Sequence, residues 1–105
     1  MMKIITEANF ASEVLGSKKP VLLDVWAPWC APCRGMMPVV EALADEVKDW
    51  ADVAKLDAST EENLTQLLDV SCLPTFLVFK DGKVVGSTMG VVAKNTLLDL
   101  LKKAQ

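Results

Sequence analysis

Two cysteines three positions apart, Cys30 and Cys33, follow directly on an almost wholly apolar run, Val21-Leu22-Leu23-Asp24-Val25-Trp26. A helical pattern begins immediately behind them. An apolar run without alternation reads as a strand covered on both faces, as in a parallel sheet. Cys30 then sits on the strand-to-helix turn, and Cys33 lies within the first helical turn. A thiol there is close to unpaired backbone N–H groups and to the positive end of the helix dipole. Both favour thiolate over thiol. The arrangement suits disulfide chemistry.

A length of 105 residues gives one domain, spanning 1–105, with room for a single core. The 51% hydrophobic content is that of a globular chain. The net charge is −3 and the positive charges are scattered, so nucleic-acid binding has no electrostatic footprint. The longest apolar stretch, about residues 20–33, holds Asp24 and two prolines and is too interrupted to span a bilayer. The N-terminal residues lack the apolar core of a signal peptide, which gives the expectation of a cytoplasmic protein. In such a reducing compartment a close cysteine pair is redox-active or metal-binding rather than a structural staple. With no histidine, a Cys-His or Ser-His arrangement is excluded. Zinc would find three soft ligands in Cys30, Cys33 and Cys72 and want a fourth, so no metal is expected.

Taken in order, residues 2–5 read as a short strand. Thr6 is placed to cap a helix over about 7–15, with Phe10 and Val14 on one face. Gly16 to Pro20 form a turn, and 21–27 is the apolar strand. From Pro32 to about Lys48, Met36, Val40, Leu43 and Val47 recur at helical spacing, with Pro38 inside and expected to kink the helix. Residues 52–57 read as a third strand. Ser59-Thr60-Glu61-Glu62 fits a capping box for a helix burying Leu64, Leu67 and Leu68. Residues 75–80 form another core strand, Asp81-Gly82 a hairpin turn, and 83–89 the last strand. A final helix spans about 93–103. The order β-α-β-α-β-α-β-β-α implies parallel strands first and an antiparallel pair at the end.

The segment Trp26-Ala27-Pro28-Trp29-Cys30-Ala31-Pro32-Cys33-Arg34 resembles the active-site signature of the thioredoxin family. Further matches stand at the right separations: Asp24, Lys55 in Val-Ala-Lys-Leu-Asp, Leu73-Pro74-Thr75, and Gly90. A bare C-x-x-C is shared with zinc ribbons, but this combination in this element order covers nearly the whole chain. The resemblance implies an α/β thioredoxin fold: a central mixed sheet of four to five strands, flanked by helices on both faces. It also implies a cis peptide bond before Pro74.

The same resemblance assigns roles. Cys30 attacks a substrate disulfide and Cys33 resolves the mixed disulfide. Asp24, buried behind them with a raised pKa, helps deprotonate Cys33, and Lys55 beside it favours the ionised form. Trp29, Ala31, Pro32, Leu73, Pro74 and Gly90 form the substrate surface, with the Leu73 backbone open to an extended segment. Trp26 and Trp50 are expected to pack. Two departures stand out. Ala31 replaces the usual Gly between the sulfurs, and Cys72 is either an inert small side chain or a regulatory thiol. The implied protein is a monomeric general protein-disulfide reductase with no bound cofactor beyond its own cysteine pair. It would act on disulfide-containing proteins and be recharged by a flavin- and NADPH-dependent thioredoxin reductase. An isomerase- or oxidase-like relative, or a binding module without turnover, is the alternative.

Overall fold

In the computed structural model, which describes residues 2–105, the cysteine motif joins the central strand of a sheet to its longest helix. Strands β1 (Lys3–Ile5), β2 (Val21–Trp26), β3 (Asp52–Asp57), β4 (Thr75–Lys80) and β5 (Lys83–Met89) form one sheet in the order β1-β3-β2-β4-β5. β1 and β2 pair with β3 in parallel, whereas β4 runs antiparallel to both β2 and β5. Helices α1 (Ala31–Val47), α2 (Glu62–Leu67) and α3 (Lys94–Lys103) complete the fold, with a π-helical turn at Ala11–Leu15.

The unbroken apolarity of the central strands has a direct consequence. Side chains alternate faces along a strand, so a strand apolar at every position needs cover on both sides. Leu22, Val53, Phe76 and Val78 pack with Met36, Val40, Leu43 of α1 and Leu97, Leu101 of α3. Their neighbours Val21, Leu23, Val25, Leu77 and Phe79 pack on the other face with Val14 and Leu64. Full burial of each such large side chain stabilises the fold by about 1.5–3 kcal/mol. Asp24 shares the parity of Leu22, which puts it on the face covered by α1. The expected stripe along α1 is buried throughout, and the helix continues through Pro38 to Val47.

Three local expectations are corrected. The first helix does not run from 7 to 15. Asn9 holds the preceding turn, accepting from the Thr6 N–H at 2.7 Å and donating to the Ile4 carbonyl at 2.9 Å. The helical turn is the short stretch Ala11–Leu15, closed by the wide bond from Gly16 N–H to the Ala11 carbonyl. Phe10 and Val14 still face inward, Phe10 meeting Phe79 edge-on at 5.8 Å. The capping box does not form either: Asp57 Oδ1 takes the Ser59 N–H and hydroxyl, and α2 begins at Glu62 without a side-chain cap. Finally, Leu67 is 83% exposed. Six residues of helix turn only Leu64 and, just beyond the end, Leu68 inward.

Candidate redox site

Cys30 caps α1 in an extended conformation, with its Sγ accepting from the Cys33 N–H at 3.2 Å. Pro32 occupies the first turn, where its missing N–H removes no helical bond. This short path brings the two sulfurs together, and Cys30 and Cys33 are joined in a disulfide. Cys33 is fully buried, whereas Cys30 retains 6% exposure. Ala31 and Pro32 are exposed between them, and Trp29 stands 72% exposed beside them. Trp26 is partly buried against the cysteines, and Trp50 packs at the edge of the α1-side core.

Asp24 is 1% exposed and neither carboxylate oxygen has a hydrogen-bond partner. Desolvation pushes its pKa up to about 7, against a smaller downward pull from the positive charge of Lys55. Lys55 is the register partner of Asp24 across β2 and β3. Its ammonium lies over the Trp26 ring, 5.5 Å from the centroid, a cation–π contact. One face of the sheet thus carries Asp24, Lys55 and Trp26 together under the N-terminus of α1. The family resemblance implied Asp24 and Lys55 side by side, as they are; the contact of Lys55 with Trp26 is an addition.

The other wall of the site comes from the β4 entrance. The Leu73–Pro74 bond is cis, Pro74 is buried, and Leu73 packs against the cysteine pair. The Pro74 carbonyl accepts from the Gly90 N–H at 2.9 Å. Gly90 makes that contact with φ at +81°, a left-handed conformation that favours glycine. A cavity of about 300 Å³ opens beside the disulfide, lined by Trp29, Cys30, Ala58, Thr65, Cys72 and Leu73 among others. Cys72 is a free, exposed thiol, 3.1 Å from the Met89 sulfur.

Of the site residues named from the sequence, Cys30, Cys33, Trp29, Leu73 and Cys72 gather at the head of α1, Gly90 meets Pro74 at the β4 entrance, and Asp24 and Lys55 stand side by side on β2 and β3 next to Trp26. Two features were not legible. Ala58, just after β3, and Thr65, on α2, line the cavity beside Cys30, and neither side chain advertises it. Arg34 donates from Nη1 to the Pro28 carbonyl at 2.8 Å. A cation one helical turn beyond Cys30 was the available signal. Among the described residues, no cluster of three or more His, Cys, Asp or Glu is placed to hold a metal ion.

Comparison with known proteins agrees with this geometry. The thioredoxin family model matches residues 1–103. Thioredoxin 1 of Synechococcus elongatus is 40% identical over 99 residues, covering 94% of this chain and 92% of its own length. The thioredoxin of Porphyra purpurea is 38% identical over the same span. That of Mycobacterium tuberculosis is 44% identical over 94 residues, 90% of this chain and 81% of its own. A disulfide-forming pair at the head of α1, in a chain so similar to these, makes this a dithiol–disulfide oxidoreductase of proteins. The chain belongs to the thioredoxin family.

Proposed function

We propose that the protein is a general protein-disulfide reductase in which Cys30 is the nucleophile, Cys33 the resolving thiol and Asp24 the proton acceptor. The difference in exposure between the two sulfurs carries this reading. The Cys30 thiolate attacks one sulfur of a substrate disulfide, and the other sulfur leaves as a thiolate. Cys33 then gives its proton to Asp24, directly or through water, and attacks the Cys30 sulfur. The second substrate thiolate departs and the Cys30–Cys33 disulfide forms. Two electrons pass to the substrate, and the oxidised protein is the state described above.

A carboxyl with a pKa of about 7 suits this transfer, because it accepts and releases a proton near neutral pH. Lys55 moderates the cost of its charged form. Trp29, Ala31, Pro32, Leu73, Pro74 and Gly90 border the approach to Cys30, with the Leu73 backbone receiving an extended substrate segment. Cys72, at the cavity wall, is a candidate regulatory thiol. The protein carries its redox equivalents on its own sulfurs, without a bound cofactor or metal, and works as a one-domain monomer. A flavin- and NADPH-dependent thioredoxin reductase returns it to the dithiol form. We place it in the cytoplasm; among the described residues no helix is long and apolar enough to cross a membrane.

The test is the equilibrium potential of the Cys30–Cys33 pair in graded glutathione buffers, read by alkylation and mass. A value near the roughly −270 mV typical of thioredoxins supports a reductase. A value near the roughly −180 to −120 mV of isomerases and oxidants would assign the opposite direction, with Ala31 the first residue to examine.

A further inference from the structure

Arg34 carries a contact that the redox steps leave unused. The turn Ala27–Cys30 connects β2 to α1 and presents Trp29 to solvent. A backbone bond closes it, from the Cys30 N–H to the Ala27 carbonyl at 3.1 Å. The next peptide along, between Pro28 and Trp29, turns its carbonyl outward, and the Arg34 guanidinium holds it at 2.8 Å. Arg34 is itself fixed at its base, its N–H bonded to the Cys30 carbonyl at 3.1 Å within the first turn of α1. A rigid helix thus reaches back over the loop that precedes it. Because the Pro28 carbonyl belongs to the same peptide plane as the Trp29 N–H, holding it sets the Trp29 N–Cα bond and so narrows the arc over which the Trp29 side chain can swing, to rotation about that bond and about χ1.

We infer that Arg34 is a positioning residue: it clamps the Pro28–Trp29 peptide and so pre-sets the Trp29 indole beside Cys30 for docking of protein substrates. The inference rests on the reading of Trp29 as a substrate contact. An indole that is 72% exposed has little packing to hold it in one place. Each substrate encounter would otherwise have to order both the ring and its loop, and that ordering lowers affinity. A clamp built before binding removes part of the cost, and it acts on protein disulfides that touch Trp29. Small disulfides that reach Cys30 alone gain nothing from it.

The discriminating experiment is a double-mutant cycle between Arg34→Met and Trp29→Ala, read as KM and kcat for a protein disulfide and for a small aromatic disulfide. Arg34→Met is expected to raise KM for the protein disulfide about threefold, the size an exposed charge-assisted bond allows, with kcat unchanged. It should leave the small disulfide untouched and have no further effect once Trp29 is alanine. Arg34→Lys, which keeps a donor and a charge, should restore much of the loss. If Trp29→Ala raises KM and Arg34→Met does not, the clamp is refuted while the docking role of Trp29 stands. If the two effects simply add, or if the Arg34→Met effect disappears in high salt, Arg34 meets substrate as a bare charge and the inference is wrong. If Trp29→Ala itself changes nothing, the reading of Trp29 fails and the clamp falls with it.

Discussion

Asp24 and Lys55 are direct register partners on adjacent parallel strands, yet they do not form a hydrogen-bonded pair. The lysine ammonium lies over Trp26, and the carboxylate is buried with both oxygens unpartnered. Desolvation therefore outweighs the favourable charge, and the carboxyl titrates near neutrality rather than as an ordinary aspartate. The predictions about pH follow from this imbalance.

Stability of the oxidised protein should fall as pH rises. The native carboxyl binds its proton up to about 7, whereas the unfolded one releases it near 3.8. Between those values the native state holds more protons, so its advantage is full below about pH 4 and is lost as pH climbs through 7. Asp24→Asn cannot titrate and should be the more stable protein at pH 8, by at most about 4 kcal/mol, with the difference shrinking toward pH 4. Urea unfolding at pH 4, 6 and 8 measures it. A constant difference across that range would contradict the raised pKa.

Resolution of the mixed disulfide should show the same group from the kinetic side. The wild-type rate should drop below about pH 7 as Asp24 becomes protonated and can no longer take the Cys33 proton. Asp24→Asn should lose that inflection and run at least about tenfold slower at pH 8. Rapid-quench trapping of the intermediate reads both. Equal rates in the two proteins from pH 6 to 8 would reduce Asp24 to a structural residue.

Gly90→Ala should cost about 1 kcal/mol of stability, the ordinary penalty for a side chain held in the left-handed region. An added Cβ meets nothing within 4 Å, so the cost comes from φ and not from a clash. The denaturation midpoint should fall while reduction of a small disulfide is preserved. A loss above about 3 kcal/mol would mean that the added methyl is not in open space.

Leu64 and Leu67 separate a buried from an exposed position on one short helix. Leu64→Ala should cost about 2–3 kcal/mol. Leu67→Ala should stay within about 0.5 kcal/mol of wild type, because its side chain is already in water. Chemical denaturation of the two variants compares them directly, and similar losses would place Leu67 in the core.

The contrast between these leucines shows where a sequence stops being informative. Element order, the two-faced sheet and the position of Asp24 were legible because strand parity and the α1 stripe are strong, repeated signals. Leu67 was misjudged because a six-residue helix offers too few turns for periodicity to assign a face. The first helix failed for a related reason: Asn9 satisfies the backbone locally, and its two side-chain bonds outweigh a weak helical preference. The capping box lost to Asp57 in the same way. Within the site, the cysteine pair stood out by its spacing, whereas Asp24, Lys55, Pro74 and Gly90 were picked out by the family resemblance. The cavity wall at Ala58 and Thr65 and the reach of Arg34 to Pro28 depend on how helices and the loops before them come together, which no local pattern records.

The central claim is the division of labour between Cys30 and Cys33, and intermediate trapping tests it most directly. Reduced Cys33→Ser, mixed with a protein disulfide, should accumulate a covalent complex whose mass equals the two chains and whose linkage maps to Cys30. Cys30→Ser should accumulate none. A complex linked through Cys72, or full turnover by Cys33→Ser, would contradict the assignment.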